Sequence, residues 1–199
     1  NESYFHSLNN LKTLDINNNL IEKIGENAFN GLRRVENLNL RQNRLGEIHQ
    51  NAFRIMILIR KLDLNDNKLT SLEFLTNLFS LRELLIENNH IEILKDRYFL
   101  GLINLQSLYL KSNRILEIED MVFQSLNKLE NLGLNSNNIK QISILNKLDS
   151  LRSANFEQNK FFSLNNKTFL LKCSSRISTL NLKSNDIVHI DSKTFEYCN

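Results

Sequence analysis

The residues of this chain that could carry reactive chemistry are few and scattered. His6, His49, His90 and His189 show no metal-ligand spacing among them. Cys173 and Cys198, the two cysteines, are not set beside a histidine by any nucleophile motif. No glycine-rich loop is present to cradle a phosphate. The sequence therefore predicts no catalytic, cofactor-binding or metal-binding residue, and no enzyme. What recurs instead is asparagine at fixed spacing: Asn19, Asn43, Asn67, Asn89, Asn113, Asn137, Asn159 and Asn185. An amide side chain offers both donors and an acceptor. Stacked asparagines can thus satisfy backbone groups stranded where a chain leaves a short strand and turns. That chemistry is structural, and losing one amide would leave buried polar groups unpaired at a cost of about 1–3 kcal/mol.

The elements that hold these amides form a repeat. Each asparagine is the ninth residue of a unit whose starts fall at Leu11, Val35, Ile59, Leu81, Leu105, Leu129, Leu151 and Ile177, spaced by 24, 24, 22, 24, 24, 22 and 26 residues. The copy from Leu105 shows the pattern: Leu105, Leu108, Leu110, Asn113, Ile115 and Ile118, then Phe123 and Leu126. Positions four and six, such as Leu84 and Ile86, alternate with polar neighbours and point inward from a strand. In the seventh copy Ala154 beside Phe156 keeps the volume by exchanging small for large. Position fourteen, Ile24 through Ile190, closes the far side. A phenylalanine ladder of Phe5, Phe29, Phe53, Phe99, Phe123, Phe169 and Phe195 follows in the longer copies. The two 22-residue copies lack it, and Leu78 and Leu148 close the coil there. No copy can bury its apolar face alone, so stacking makes the core and residues 1–199 form one solenoid. Neither end shows a polar capping repeat, which leads us to expect a piece of a larger chain.

Composition excludes several classes. Twenty-five basic against 22 acidic residues leave a net charge of +3 with no one-signed stripe, so no nucleic-acid partner is expected. No apolar run reaches the ~18 residues of a membrane span, so this segment is expected to make no membrane contact. Asp15 and Asp63 lie two repeats apart, or about 10 Å, too far for a catalytic pair.

The repeat resembles the leucine-rich-repeat family over nearly the whole chain. Its 24-residue form with Phe-x-x-Leu resembles the typical repeats of extracellular animal proteins. The stretches Phe169 to Ile177, containing Cys173, and Phe195-Glu196-Tyr197-Cys198 resemble the F-x-x-C variant of Toll-like receptor ectodomains. The resemblance implies an α/β repeat solenoid, a horseshoe with a concave parallel β-sheet and a mostly irregular or 3-10 convex side. It also implies an extracellular recognition module, part of a receptor ectodomain or a secreted immune-type protein, that binds a protein or microbial ligand. The other reading is an intracellular or bacterial leucine-rich-repeat scaffold or adhesin, a style that the 22-residue copies resemble.

Two surfaces are candidates for that work. Most outward strand positions carry polar or small residues. The middle carries Leu85 and Tyr109 next to Gly133, with Asp63, Glu83, Glu87 and Lys111 around them. An apolar, aromatic centre with a charged rim is the anatomy of a protein-binding patch; the alternative is variation on a solvated face. Just ahead of the strands, Ile57, Phe79 and Ile103 share one repeat position. They form either a lateral interface for self-association, or apolar residues that fold under or lie scattered on the surface. The sequons at Asn1 and Asn166 are candidate glycosylation sites on convex loops. Cys173 and Cys198 form either a disulfide between stacked coils or two buried thiols.

Overall fold

The repeat period becomes the architecture directly. The structure, a computed structural model, describes residues 5, 7–143, 145, 148–165, 168–169, 176–192 and 194–195. Each unit contributes one three-residue strand: Thr13–Asp15, Asn37–Asn39, Lys61–Asp63, Glu83–Leu85, Ser107–Tyr109, Asn131–Gly133, Ser153–Asn155 and Thr179–Asn181. These eight pair in chain order as one parallel sheet. Equivalent repeat positions face each other across every pair, as in Leu38 with Leu62 and Leu84 with Leu108. The 22-residue copy beginning at Ile59 does not disturb this, since Lys61 still faces Glu83. Its two missing residues come out of the side opposite the sheet.

The inward residues form one continuous core. Leu84, Ile86, Leu108 and Leu110 are fully buried, and so are the closing residues Leu32, Met56 and Leu102. The phenylalanine ladder is real and stacks from coil to coil: Phe29 to Phe53 at 5.6 Å and Phe99 to Phe123 at 6.1 Å between ring centres. One expectation is corrected here. The first short copy does keep an aromatic rung, because Phe74 takes the place of the missing phenylalanine and meets Phe53 edge-on at 5.7 Å. It does so from the 3-10 turn Glu73–Leu75, which tightens the chain where two residues are absent. In the seventh copy, the space beside Ala154 is filled by Phe156, Phe161 and Phe169, all within 5.9 Å of one another and nearly perpendicular. Such edge-to-face triplets suit the ring quadrupoles.

The far side is mostly turns. Among the described residues, its regular elements are that 3-10 turn and three pairs of two-residue strands, Lys23–Ile24 with Glu47–Ile48, Ile93–Leu94 with Glu117–Ile118, and Ser163–Leu164 with His189–Ile190. Ile190, at position fourteen of the last copy, is 55% exposed, whereas Ile24 and Leu94 at the same position are buried.

The asparagine column works by sharing between coils. Asn113 Nδ2 donates to the Leu110 carbonyl of its own coil at 3.1 Å and to the Ile86 carbonyl of the preceding coil at 2.8 Å. Its Oδ1 accepts from the Ile91 backbone N–H at 3.1 Å. The same three bonds recur at Asn43, Asn67, Asn137 and Asn159. The residue ahead of each asparagine, from Asn18 to Ser184, has a left-handed backbone with φ between 52° and 58°. Its N–H donates to the next coil, as from Asp66 to Glu87 and from Asn88 to Lys111, both at 2.9 Å. This turn explains the short polar residues at position eight, since Asn and Asp visit that region most readily.

Candidate functional site

The centre of the sheet face is built from four neighbouring coils. Parallel register places Asp63, Leu85, Tyr109 and Gly133 in one row across successive strands. Leu85 and Tyr109 are half-buried and Gly133 is fully covered. The cover is the tyrosine: a Cβ added at Gly133 would lie 3.0 Å from Tyr109 Cδ1. The ring therefore lies sideways against the next strand, which is close enough only because that strand carries glycine there. An aromatic side chain held in this way keeps one face for a partner and has little rotational freedom left to lose.

A charged rim surrounds this row. Lys61 pairs with Glu83 at 3.0 Å, one step away along the strands. Arg41 Nε donates to Asp66 Oδ2 at 2.9 Å, and Asn88 Nδ2 donates to the other Asp66 oxygen at 2.7 Å. Asp63 and Glu87 are different. Asp63 Oδ1 accepts from the Asn65 backbone N–H at 3.0 Å. Burial pushes its carboxyl above the ordinary value, against that bond and against Arg41 and Lys61. Burial likewise raises the Glu87 carboxyl, opposed first by Lys111. Glu87 and Lys111 hold the same repeat position in adjacent coils and do not pair. Lys111 is exposed, and among the described residues the two make no contact within ion-pair distance. Beneath them the buried Asn65 Oδ1 accepts from the Glu87 N–H at 2.6 Å, fixing the strand exit.

The lateral strip is present as exposed surface. Ile57, Phe79 and Ile103 are 62%, 51% and 50% exposed, so they do not fold under. Met56 takes the core position beside Ile57, at full burial. The strip is held in line by side chains that the sequence reading did not single out. Ser80 Oγ donates to the Ile57 carbonyl at 2.7 Å and Asn104 Nδ2 to the Phe79 carbonyl at 2.8 Å. Phe79 also rests on a glycine, with Cε1 only 3.1 Å from where a Gly101 Cβ would stand. Asn1, Asn166, Cys173 and Cys198 lie outside the described residues.

The arrangement can hold a partner by contact and charge. Among the described residues no group of three His, Cys, Asp or Glu side chains is placed to hold a metal ion, and no helix is long and apolar enough to cross a membrane.

Comparison with known proteins agrees with the fold. A family model described as leucine rich repeat matches residues 1–45, 33–91, 79–139 and 103–161. No match among curated proteins reaches significance. Among solved structures, a leucine-rich-repeat protein of Leptospira interrogans superposes with a TM-score of 0.82 at 21% identity, over 95% of this chain and 47% of that one. A chain of the octameric complex of Latrophilin 3, Unc5D and FLRT2, in which FLRT2 supplies the LRR part, gives a TM-score of 0.74 at 20% identity, over 97% and 66%. TLR13, from the TLR13–ssRNA13 complex, gives 0.69 at 20% identity, over 94% and 33%. The chain thus spans between a third and two thirds of the length of these structures.

Proposed function

The chain belongs to the leucine-rich-repeat family, and from that premise we propose that it is a protein-recognition module whose concave face binds through a patch centred on Leu85 and Tyr109. The observation that carries this reading is the Tyr109 ring seated on Gly133, in register with Leu85, on a face whose other strand residues are mostly polar. A solenoid frees its sheet face from core duty, so large apolar groups retained there serve contact. Its neighbours TLR13 and FLRT2 are found in complexes with RNA and with proteins respectively. The alternation of charge along this sheet favours a protein over a nucleic acid here.

In its finer form the reading is an extracellular module, from a receptor ectodomain or a secreted immune-type protein, with a protein or microbial ligand. What supports it is the resemblance of the stretches around Cys173 and Cys198 to the F-x-x-C variant; the sequons at Asn1 and Asn166 and the two cysteines are where it can be tested. A glycan retained on Asn166 after secretion from animal cells, and a peptide linking the cysteines in non-reduced digests, are the results it expects. The second reading, a bacterial or intracellular scaffold, is favoured by the 22-residue coils and by the fit to the Leptospira protein. The lateral strip of Ile57, Phe79 and Ile103 is proposed as a second surface, for self-association.

Truncation tests the concave site. An array of extracellular proteins probed with wild type and with Tyr109→Ala should yield partners that lose about 2 kcal/mol or more of affinity in the mutant. The unfolding midpoint should stay nearly unchanged. Partners bound equally by both forms would move the site off the concave centre.

A further inference from the structure

We propose that the centre of the concave face takes a cationic side chain, a lysine or arginine of a protein partner, with its stem along Leu85 and Tyr109 and its head between the carboxylates of Asp63 and Glu87. The inference rests on the reading of this face as the binding face and names the chemistry of what it binds.

Most carboxylates along the sheet already have a cation. Glu36 meets Arg60 at 2.9 Å, Glu83 meets Lys61 at 3.0 Å, Asp66 meets Arg41 at 2.9 Å and Glu130 meets Arg152 at 3.2 Å. Asp63 and Glu87 have none within that range among the described residues, although both are half-buried. Asp15 shows that this is particular to the centre: it holds the same repeat position as Asp63 and is simply exposed. The two carboxylates stand diagonally on adjacent strand lines, so their Cβ atoms are about 7–8 Å apart, with Leu85 beside both. An ammonium or guanidinium fits between two such groups and makes charge-assisted hydrogen bonds to both. Long cationic side chains lay their methylenes on apolar surface while the head stays on polar groups. Leu85 supplies that surface, and the Tyr109 ring, leaning onto Gly133, extends it by one strand for the stem.

The electrostatics agree. Burial pushes both carboxyls up, so ionising them at neutral pH works against the surroundings. Arg41 and Lys61 relieve Asp63 and Asp66 opposes it; Lys111 and Arg41 relieve Glu87 while Asp66 and Asp63 oppose it. Arg41 and Lys61 are engaged elsewhere, on Asp66 and Glu83. A carboxyl whose folded pKa is raised contributes stability at low pH that is lost as pH rises through that value. Asp63→Asn and Glu87→Gln therefore remove a burden at pH 7 and leave a folded chain in which binding can be read.

The probe is a library of short random peptides displayed on phage. It is selected on immobilised wild-type chain and counter-selected on Tyr109→Ala. Peptides that need Tyr109 should share a lysine or arginine. For an arginine peptide, citrulline, its neutral counterpart, should weaken binding at least about tenfold. Glu87→Gln and Asp63→Asn should weaken it similarly, and citrulline should then cost little more. Tyr109-dependent peptides without a shared cation, or indifferent to both carboxamide changes, overturn the proposal and leave the concave site standing. If no selected peptide needs Tyr109, the site itself is misplaced and the proposal falls with it.

Discussion

Two aromatic rings in this molecule lie on glycines of the next coil, and the two glycines are there for different reasons. On the lateral side Phe79 covers Gly101, whose φ of 89° belongs to a turn. Gly31, at the same repeat position, has a φ of 103°, and Asn77 adopts 66° in the short coil. In these three coils the turn is left-handed whether or not a ring lies on it, while Ile55 and Ser125 hold the position elsewhere without a positive φ. On the sheet face Tyr109 covers Gly133, within a regular strand, where no turn requires glycine. One glycine is used by the fold and incidentally seats a ring. The other has no local backbone role and is explained by the ring. A feature that weakens a strand and is explained only by what sits upon it points to the surface, not the core.

Substitutions can break that contrast. The largest expected effect belongs to neither ring but to a phenylalanine doing core work. Phe123→Ala, removing a rung at 2% exposure, should cost about 3–5 kcal/mol in reversible denaturation. Phe79→Lys, at half exposure, should leave the midpoint within about 0.5 kcal/mol of wild type. If the lateral strip joins copies, the same change should shift sedimentation towards monomer; an unshifted monomer before and after removes that interface. Gly101→Ala should cost about 1–3 kcal/mol, since an L-residue at that φ is strained and its Cβ meets the Phe79 ring. Of the two glycines the smaller stability effect should be at Gly133→Ala, under about 1 kcal/mol, since only the half-buried Tyr109 ring must give way. It should nonetheless lower affinity for any partner that Tyr109→Ala weakens. A loss at Gly133 as large as at Gly101 would mean that the sheet-face glycine has a structural duty after all.

What the sequence made legible was whatever repeats. Leu84, Leu108 and Leu132 could be placed in register by counting, because the strand pairing preserves repeat position. The asparagine column was readable for the same reason. Phe74 was not. It sits outside the ladder's usual offset and reaches it only through the 3-10 turn, so its role depends on a three-dimensional detour around two missing residues. The left-handed column was hidden because Gln42, Ser112 and Ser136 read as ordinary surface polars; only the identical φ reveals a shared turn. At the site, Leu85 and Tyr109 stood out against polar neighbours. The solitude of Asp63 and Glu87 did not. Whether a carboxylate finds a cation is decided by side-chain reach and by competition, as when Arg41 closes on Asp66 and Lys111 stays away from Glu87.

The asparagine column has a consequence for how this molecule comes apart. Each amide completes the hydrogen bonding of two coils, so no coil is whole by itself and much of the cohesion resides at the junctions. Such a stack behaves as a row of nearest-neighbour couplings, and a junction that opens is felt first by the two coils that share it. Asp63, Leu85, Tyr109 and Gly133 sit on four successive strands and so span three junctions. The row is continuous only while all three stay closed, which ties the shape of the patch to the buried amides beneath it.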